Sequence, residues 1–350
     1  MTEQEKRRRA RARRRKRERE RRRKIILGVS LFLLCAVLIL IFIFAGKLRK
    51  KGSGAEGNAL QGSSAHDTAV QGNSAGENAN SMQNAENTAN AAAEQETVSF
   101  TEADIHTGDL ILVNSTYGYD FEANAARENL VNIRENQSYP YQVEKPEYEI
   151  SADVLPMLDA MIAACDAAMG TTETGITSAH RSMEYQQNVW DETAMNYGED
   201  YAAQYVAVPG YSEHHTGKAC DIGIFYADGS QGSFSESRNA IWMRENCGRF
   251  GFIRRYAEDK TEITGISNEA WHFRYVGFPH ASYMVENNLC LEEYLEYLRN
   301  NTSEASPLVI KGNTGSFKVY YTTERTIVKP SGSYTVSGDN MGGFIITVTS

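Results

Sequence analysis

Ile25 to Gly46 is a run of 22 residues without a charge, dense in Leu, Ile, Val and Phe. About 20 apolar residues are what a helix needs to cross a ~30 Å hydrocarbon core. A cleavable signal peptide has a shorter apolar stretch, ~7–15 residues, so an uncleaved membrane anchor is expected. The run also divides the chain electrically. Residues 1–24 hold 15 Lys and Arg against 4 Glu, and residues 25–51 add four cations and no acid. The remaining 299 residues carry 17 basic and 41 acidic side chains. Basic flanks stay on the cytoplasmic side, which predicts the N-terminus inside the cell membrane and the acidic bulk outside. The basic head therefore reads as a topology signal that touches anionic lipid, and no nucleic-acid partner is expected.

The next segment, residues 47–97, is rich in Gly, Ser, Ala, Asn and Gln, with no aromatic residue between Lys51 and Glu96. It cannot bury enough apolar surface to offset the entropy of ordering it. A flexible coil of that length spans roughly 35–40 Å, so the segment reads as a disordered linker. Residues 98–300 carry mixed signals. Asp109–Asn114, Gly175–Ser178, Lys218–Tyr226, Phe252–Tyr256 and Trp271–Val276 read as strands. Asp153–Met169, Glu184–Ala194, Ser235–Phe250 and Leu291–Leu298 have apolar residues at helical spacing. Without a regular alternation of strand and helix, the expected class is α+β. Residues 301–350 contain five short β-type runs between Gly, Asn, Ser and Pro, which predicts a small β-rich extension.

Three segments carry chemistry. Ser178-Ala-His-Arg-Ser182 is followed by Gln186. Ser212-Glu-His-His-Thr-Gly-Lys-Ala-Cys-Asp221 places His214 and Asp221 seven apart. Glu269-Ala-Trp-His272 puts a carboxylate three residues before a histidine. A catalytic zinc takes three protein ligands from His, Asp, Glu or Cys and keeps one position open. A carboxylate beside that position can take the proton from attacking water. His214, Asp221 and His272 as ligands, with Glu269 as base, fill every role once. Gly217 provides backbone freedom for a turn between the first two ligands. Two imidazoles and one carboxylate suit zinc better than magnesium or calcium.

Together these segments resemble the zinc D-Ala-D-Ala carboxypeptidases of the VanY type, over roughly residues 108–299. Ser212, His214, Gly217, Ala219 and Asp221 match one motif. Glu269, Trp271 and His272 match a second, and Ser178, Arg181, Ser182 and Gln186 a third. The resemblance implies a small, mainly antiparallel sheet with flanking helices and a Zn2+ site on one face. It selects His214 over His215 as ligand. It also implies catalytic roles for Glu269 and Arg181, and substrate-binding roles for Arg181, Gln186 and Ser212. His180 stands where an aromatic residue is common, which implies an altered pocket wall. Trp271 reads as core packing.

The implied partner is the peptidoglycan stem peptide, cut at its terminal D-Ala. Removal of D-Ala from tetrapeptides, endopeptidase cleavage and a non-catalytic wall-binding domain are the alternative functions. The four cysteines beyond the anchor, Cys165, Cys220, Cys247 and Cys290, do not form a disulfide framework. Oligomeric state is not legible in the residues.

Overall fold

A twisted antiparallel core sheet carries the cleft. In this computed structural model, residues 95–349 are described, except Glu128, Asn313 and Thr314. The basic head, the apolar run Ile25–Gly46 and the linker to residue 94 lie outside the described residues. Among the described residues no helix is long and apolar enough to cross a membrane. The main sheet runs in the order Gln142–Val143, Thr174–Ser178, Ala219–Phe225, Glu269–Tyr275 and Phe252–Tyr256, with Gln231–Gly232 paired to the end of Ala219–Phe225. Only the Gln142–Val143 pairing is parallel. The mixed class and the mainly antiparallel sheet are therefore as the sequence predicts.

The helix Leu155–Met169 covers one face of this sheet. Pro156 stands in its first turn, where no donor is needed, and Gly170 closes it at φ 70°. Leu158, Met161, Ile162 and Cys165 lie at helical spacing and are fully buried against Ile176, Ile222 and Phe273. Met183–Tyr197 is capped by Ser182, whose hydroxyl accepts from the Tyr185 amide at 3.1 Å. That cap starts the helix two residues after Arg181, which fixes Arg181 at the sheet's edge. The four cysteines among the described residues are all buried free thiols. Cys220, beside Asp221, packs into the main core on the opposite face of its strand.

The segment Asp109–Asn114 is not the strand that its sequence predicts. Leu110, Ile111, Leu112 and Val113 are all buried, so burial explains the apolar run. Its backbone groups are satisfied outside any ladder, which is why it forms no strand. The Leu110 amide donates to Ser337 Oγ, the Leu112 amide to the Asp339 carbonyl, and the Leu112 carbonyl accepts from Asn340.

The C-terminal runs do form five strands. Four make an antiparallel sheet in the order Leu308–Lys311, Ser316–Thr322, Phe344–Thr349 and Tyr334–Gly338. The fifth, Thr326–Val328, pairs with Thr97–Ser99. This sheet is no separate module. Ile310, Val319 and Ile345 share a core with Leu110, Leu112, Leu291, Tyr294 and Leu298, and the described residues fall in one compact unit.

Candidate active site

Asp221 and His272 are direct cross-strand partners on neighbouring antiparallel strands. Opposed residues point to the same face with Cβ atoms ~4.5–5.5 Å apart. Here Asp221 Oδ1 lies 3.1 Å from His272 Nδ1. His214 arrives from a tight turn, Glu213–Thr216, just before the Asp221 strand. The Ser212 hydroxyl caps that turn by accepting from the His214 amide at 3.3 Å. Gly217 closes it at φ 65°, and a Cβ there would come within 2.7 Å of Leu130. The left-handed backbone and the missing side chain are both needed for the chain to turn into its strand.

One ligand atom from each of His214, Asp221 and His272 lies within 4.8 Å of the others. A tetrahedral ion with ligands at ~2.0 Å holds its donors roughly 3.3 Å apart. The His214 Nε2–Asp221 Oδ2 and His272 Nδ1–Asp221 Oδ1 separations are 3.5 and 3.1 Å. The ring hydrogens agree with this geometry. His214 Nδ1 lies 2.6 Å from the Ala179 carbonyl. A carbonyl only accepts, so Nδ1 carries the hydrogen and Nε2 keeps a lone pair toward Asp221. The donor set and spacing therefore fit a zinc ion.

Glu269 is buried in the same cleft, with Oε2 3.9 Å from His272 Nδ1. Residues three apart on a regular strand face opposite ways. A register shift against the neighbouring strand removes that conflict: Arg254 pairs with Phe273, but Tyr256 pairs with Glu269. Such bulges re-aim side chains beside active sites.

The charges are strongly perturbed. Burial pushes the Glu269 carboxyl up to about 8, against the pull of His272. Burial lowers His214 to about 4, and the Arg181 charge adds to it. Burial also opposes charge on His272, but its hydrogen bonds to Asp221 and Glu213 outweigh it and raise the group to about 9. Asp221 is held well below the usual carboxylate range despite burial, by His214, His272 and Arg181.

Arg181 donates from Nε to Ser178 Oγ at 2.9 Å, from Nη1 to Gln186 at 3.2 Å, and from Nη2 to Asp221 Oδ2 at 2.8 Å. Three of its five N–H donors are thus used, and two remain for a ligand in the cleft it lines. His215, the unselected neighbour, turns away from the donor cluster. Its Nδ1 donates to the Arg181 carbonyl at 2.7 Å and its Nε2 accepts from the Gly210 amide at 3.0 Å.

Gln186 corrects the sequence reading. It is fully buried and does not line the cleft. Its Oε1 accepts from Arg181 and its Nε2 donates to the Ala207 carbonyl at 2.7 Å. The amide braces Arg181 from behind the cleft. His180 is likewise absent from the cleft wall, while Ser212 and Trp271 line it. Three features had no assignment from sequence. Glu213 is a buried carboxylate under His272. Tyr256 lines the cleft beside Glu269. Tyr197, Tyr201 and Tyr205 also line it, with successive ring centroids 5.0 and 4.6 Å apart. Their four-residue spacing is visible in the sequence, but Gly198 interrupts the helix between them.

An open cleft of about 280 Å³, walled by Arg181, with a metal-type donor trio and a buried carboxyl beside it, defines a metallopeptidase-type hydrolase. Comparison with known proteins carries this to a family. The model of the VanY D-alanyl-D-alanine carboxypeptidase family matches residues 147–278. A D-alanyl-D-alanine carboxypeptidase of Enterococcus faecium is 32% identical over 257 residues, 71% of this chain and 78% of that protein. The bifunctional D-Ala-D-Ala dipeptidase and carboxypeptidase VanXYC of Enterococcus gallinarum is 34% identical over 170 residues, 47% of this chain and 90% of that one. The crystal structure of the vancomycin resistance D,D-dipeptidase VanXYg superposes with a TM-score of 0.64 at 31% identity, covering 73% of this chain and 99% of that one. This chain belongs to the D-alanyl-D-alanine carboxypeptidase family and is an enzyme of that class.

Proposed function

We propose that this chain is a membrane-anchored zinc peptidase that removes the terminal D-Ala from peptidoglycan stem pentapeptides. The observation that carries the reading is Glu269: a buried carboxyl set 3.9 Å from His272 Nδ1, facing the donor trio in a cleft open to solvent. His214, Asp221 and His272 would hold the ion. Bound zinc supplies Lewis acidity toward the scissile carbonyl and the attacking water. Glu269 takes a proton from that water as its oxygen bonds to the carbonyl carbon. It then gives the proton to the amine nitrogen as the C–N bond breaks, releasing D-Ala.

Arg181 is the cation for the substrate's terminal carboxylate or for the developing oxyanion, and Ser212 contributes a hydroxyl to the same wall. The substrate class is supported by the E. faecium relative's name and by VanXYg, which was solved with a D-Ala-D-Ala phosphinate analogue. Anchoring and an extracellular catalytic domain are supported by the apolar run and the basic head.

The test incubates the zinc-loaded full chain with pentapeptide and tetrapeptide muropeptides and identifies products by mass. Free D-Ala and tetrapeptide from the pentapeptide are expected. Tripeptide formation alone would replace the reading with an L,D-carboxypeptidase, internal fragments with an endopeptidase, and no product with a wall-binding domain.

A further inference from the structure

Glu213 is completely enclosed, and both of its oxygens are engaged. Oε1 accepts from Arg255 Nε at 2.8 Å and from Arg274 Nη1 at 3.1 Å. Oε2 lies 3.3 Å from His272 Nε2. Both arginines are fully buried, and each is anchored at a distance from the cleft. Arg255 grips Glu292 with two bonds of 2.9 and 2.6 Å. Arg274 donates from Nη2 to the carbonyls of Asp109 and Ile111 at 3.0 and 3.2 Å. Two cations and two carboxylates form a compensated cluster. Compensation is needed, because buried charges destabilise a fold unless their geometry is closely matched.

A purely structural cluster would need no contact with His272. Yet Arg274 follows His272 by two on one strand, so the two side chains share a face, and Glu213 sits beneath both. The arginines occupy Oε1, and Oε2 is turned to the imidazole. A carboxylate only accepts, so it selects the ring form with hydrogen on Nε2 and leaves Nδ1 facing Asp221. We infer that Glu213 is a positioning residue for the metal centre: with Arg255 and Arg274 fixing it from behind, it orients His272 so that Nδ1 is the ligating nitrogen. The inference rests on the proposed ligand trio. Its supports, Asp109, Ile111 and Glu292, lie outside the segment 147–278 that matches the family model.

The test has two arms, both on the full chain. Selective nitrogen labelling of histidine, read by NMR on the zinc-loaded wild type, should show His272 carrying its hydrogen on Nε2 and the metal on Nδ1. Glu213→Gln keeps the size and an acceptor oxygen but removes the charge. Zinc affinity, measured by competition with a chelator dye, should weaken about 10–100-fold, and the visible spectrum of the cobalt-substituted protein should change. Ligation through Nε2 would overturn the inference even if Glu213→Gln fails to fold. Affinity in a folded Glu213→Gln within about twofold of wild type, well short of the loss expected for such a partner, would overturn it while leaving the metal centre standing. Failure of the wild type to bind zinc would sink the metal centre and the inference together.

Discussion

Arg181 and Asp221 form an ion pair at 2.8 Å inside the cleft, with both side chains almost out of solvent. One carboxylate thus serves the guanidinium through Oδ2 and faces His272 through Oδ1. The guanidinium and the donor trio are electrically joined, and substitutions in one should be legible in the other.

The trio itself is the first target. His214→Ala, Asp221→Asn or His272→Ala should lower zinc content from about one ion per chain to near zero, by elemental analysis of the purified protein. Full activity in a protein free of metal would refute the site.

Glu269 is not among the ligands. Glu269→Ala should keep its zinc and its fold while turnover on pentapeptide falls by about 10²–10⁴. An unchanged rate would show that another group moves the proton.

Arg181 offers its remaining donors to the cleft. Arg181→Ala should lower kcat/KM by about 10²–10³. Metal affinity should change less than in the ligand variants, because Asp221 keeps its charge. Amidating the terminal D-Ala should nearly abolish cleavage by the wild type, since the two remaining N–H donors of Arg181 would lose the carboxylate they are proposed to hold. Similar rates on amidated and free peptides would point to an endopeptidase.

His280 gives a pH signature away from the cleft. It is buried between Tyr294 and Thr347, with its ring nitrogens 2.8 and 3.0 Å from their hydroxyls. Burial lowers its pKa from 6.5 to about 4. The unfolded chain therefore binds a proton that the folded chain refuses between those values. The contribution is present above pH 6.5 and is lost as pH falls toward 4, by about 3 kcal/mol in all. Urea midpoints across that range should fall in the wild type and fall less steeply in His280→Gln. Parallel slopes would exclude His280 as the cause.

Much of the site was legible because its chemistry is local. His214, Asp221, Glu269, His272 and Arg181 stand in three short segments, which the structure brings to one cleft. Tertiary relationships were not. Nothing in the sequence pairs Asp221 with His272 across two strands, or puts a bulge between Glu269 and its neighbour. Gln186 looked like a ligand for substrate because an exposed and a buried amide read alike. Asp109–Asn114 has the composition of a strand, but its hydrogen bonds go to side chains and isolated carbonyls. Glu213 is one letter inside a motif, and its meaning depends on two arginines some forty and sixty residues away.

The last strand, Phe344–Thr349, lies between Ser316–Thr322 and Tyr334–Gly338 in its sheet, and Ile345 enters the core that holds Leu110 and Leu112. The segment Asp109–Ile111 that braces Arg274 is therefore seated in part by residues more than two hundred positions further along the chain. Domains commonly begin folding during synthesis, but the native packing beneath the Arg274 brace includes a strand made at the far end of the chain.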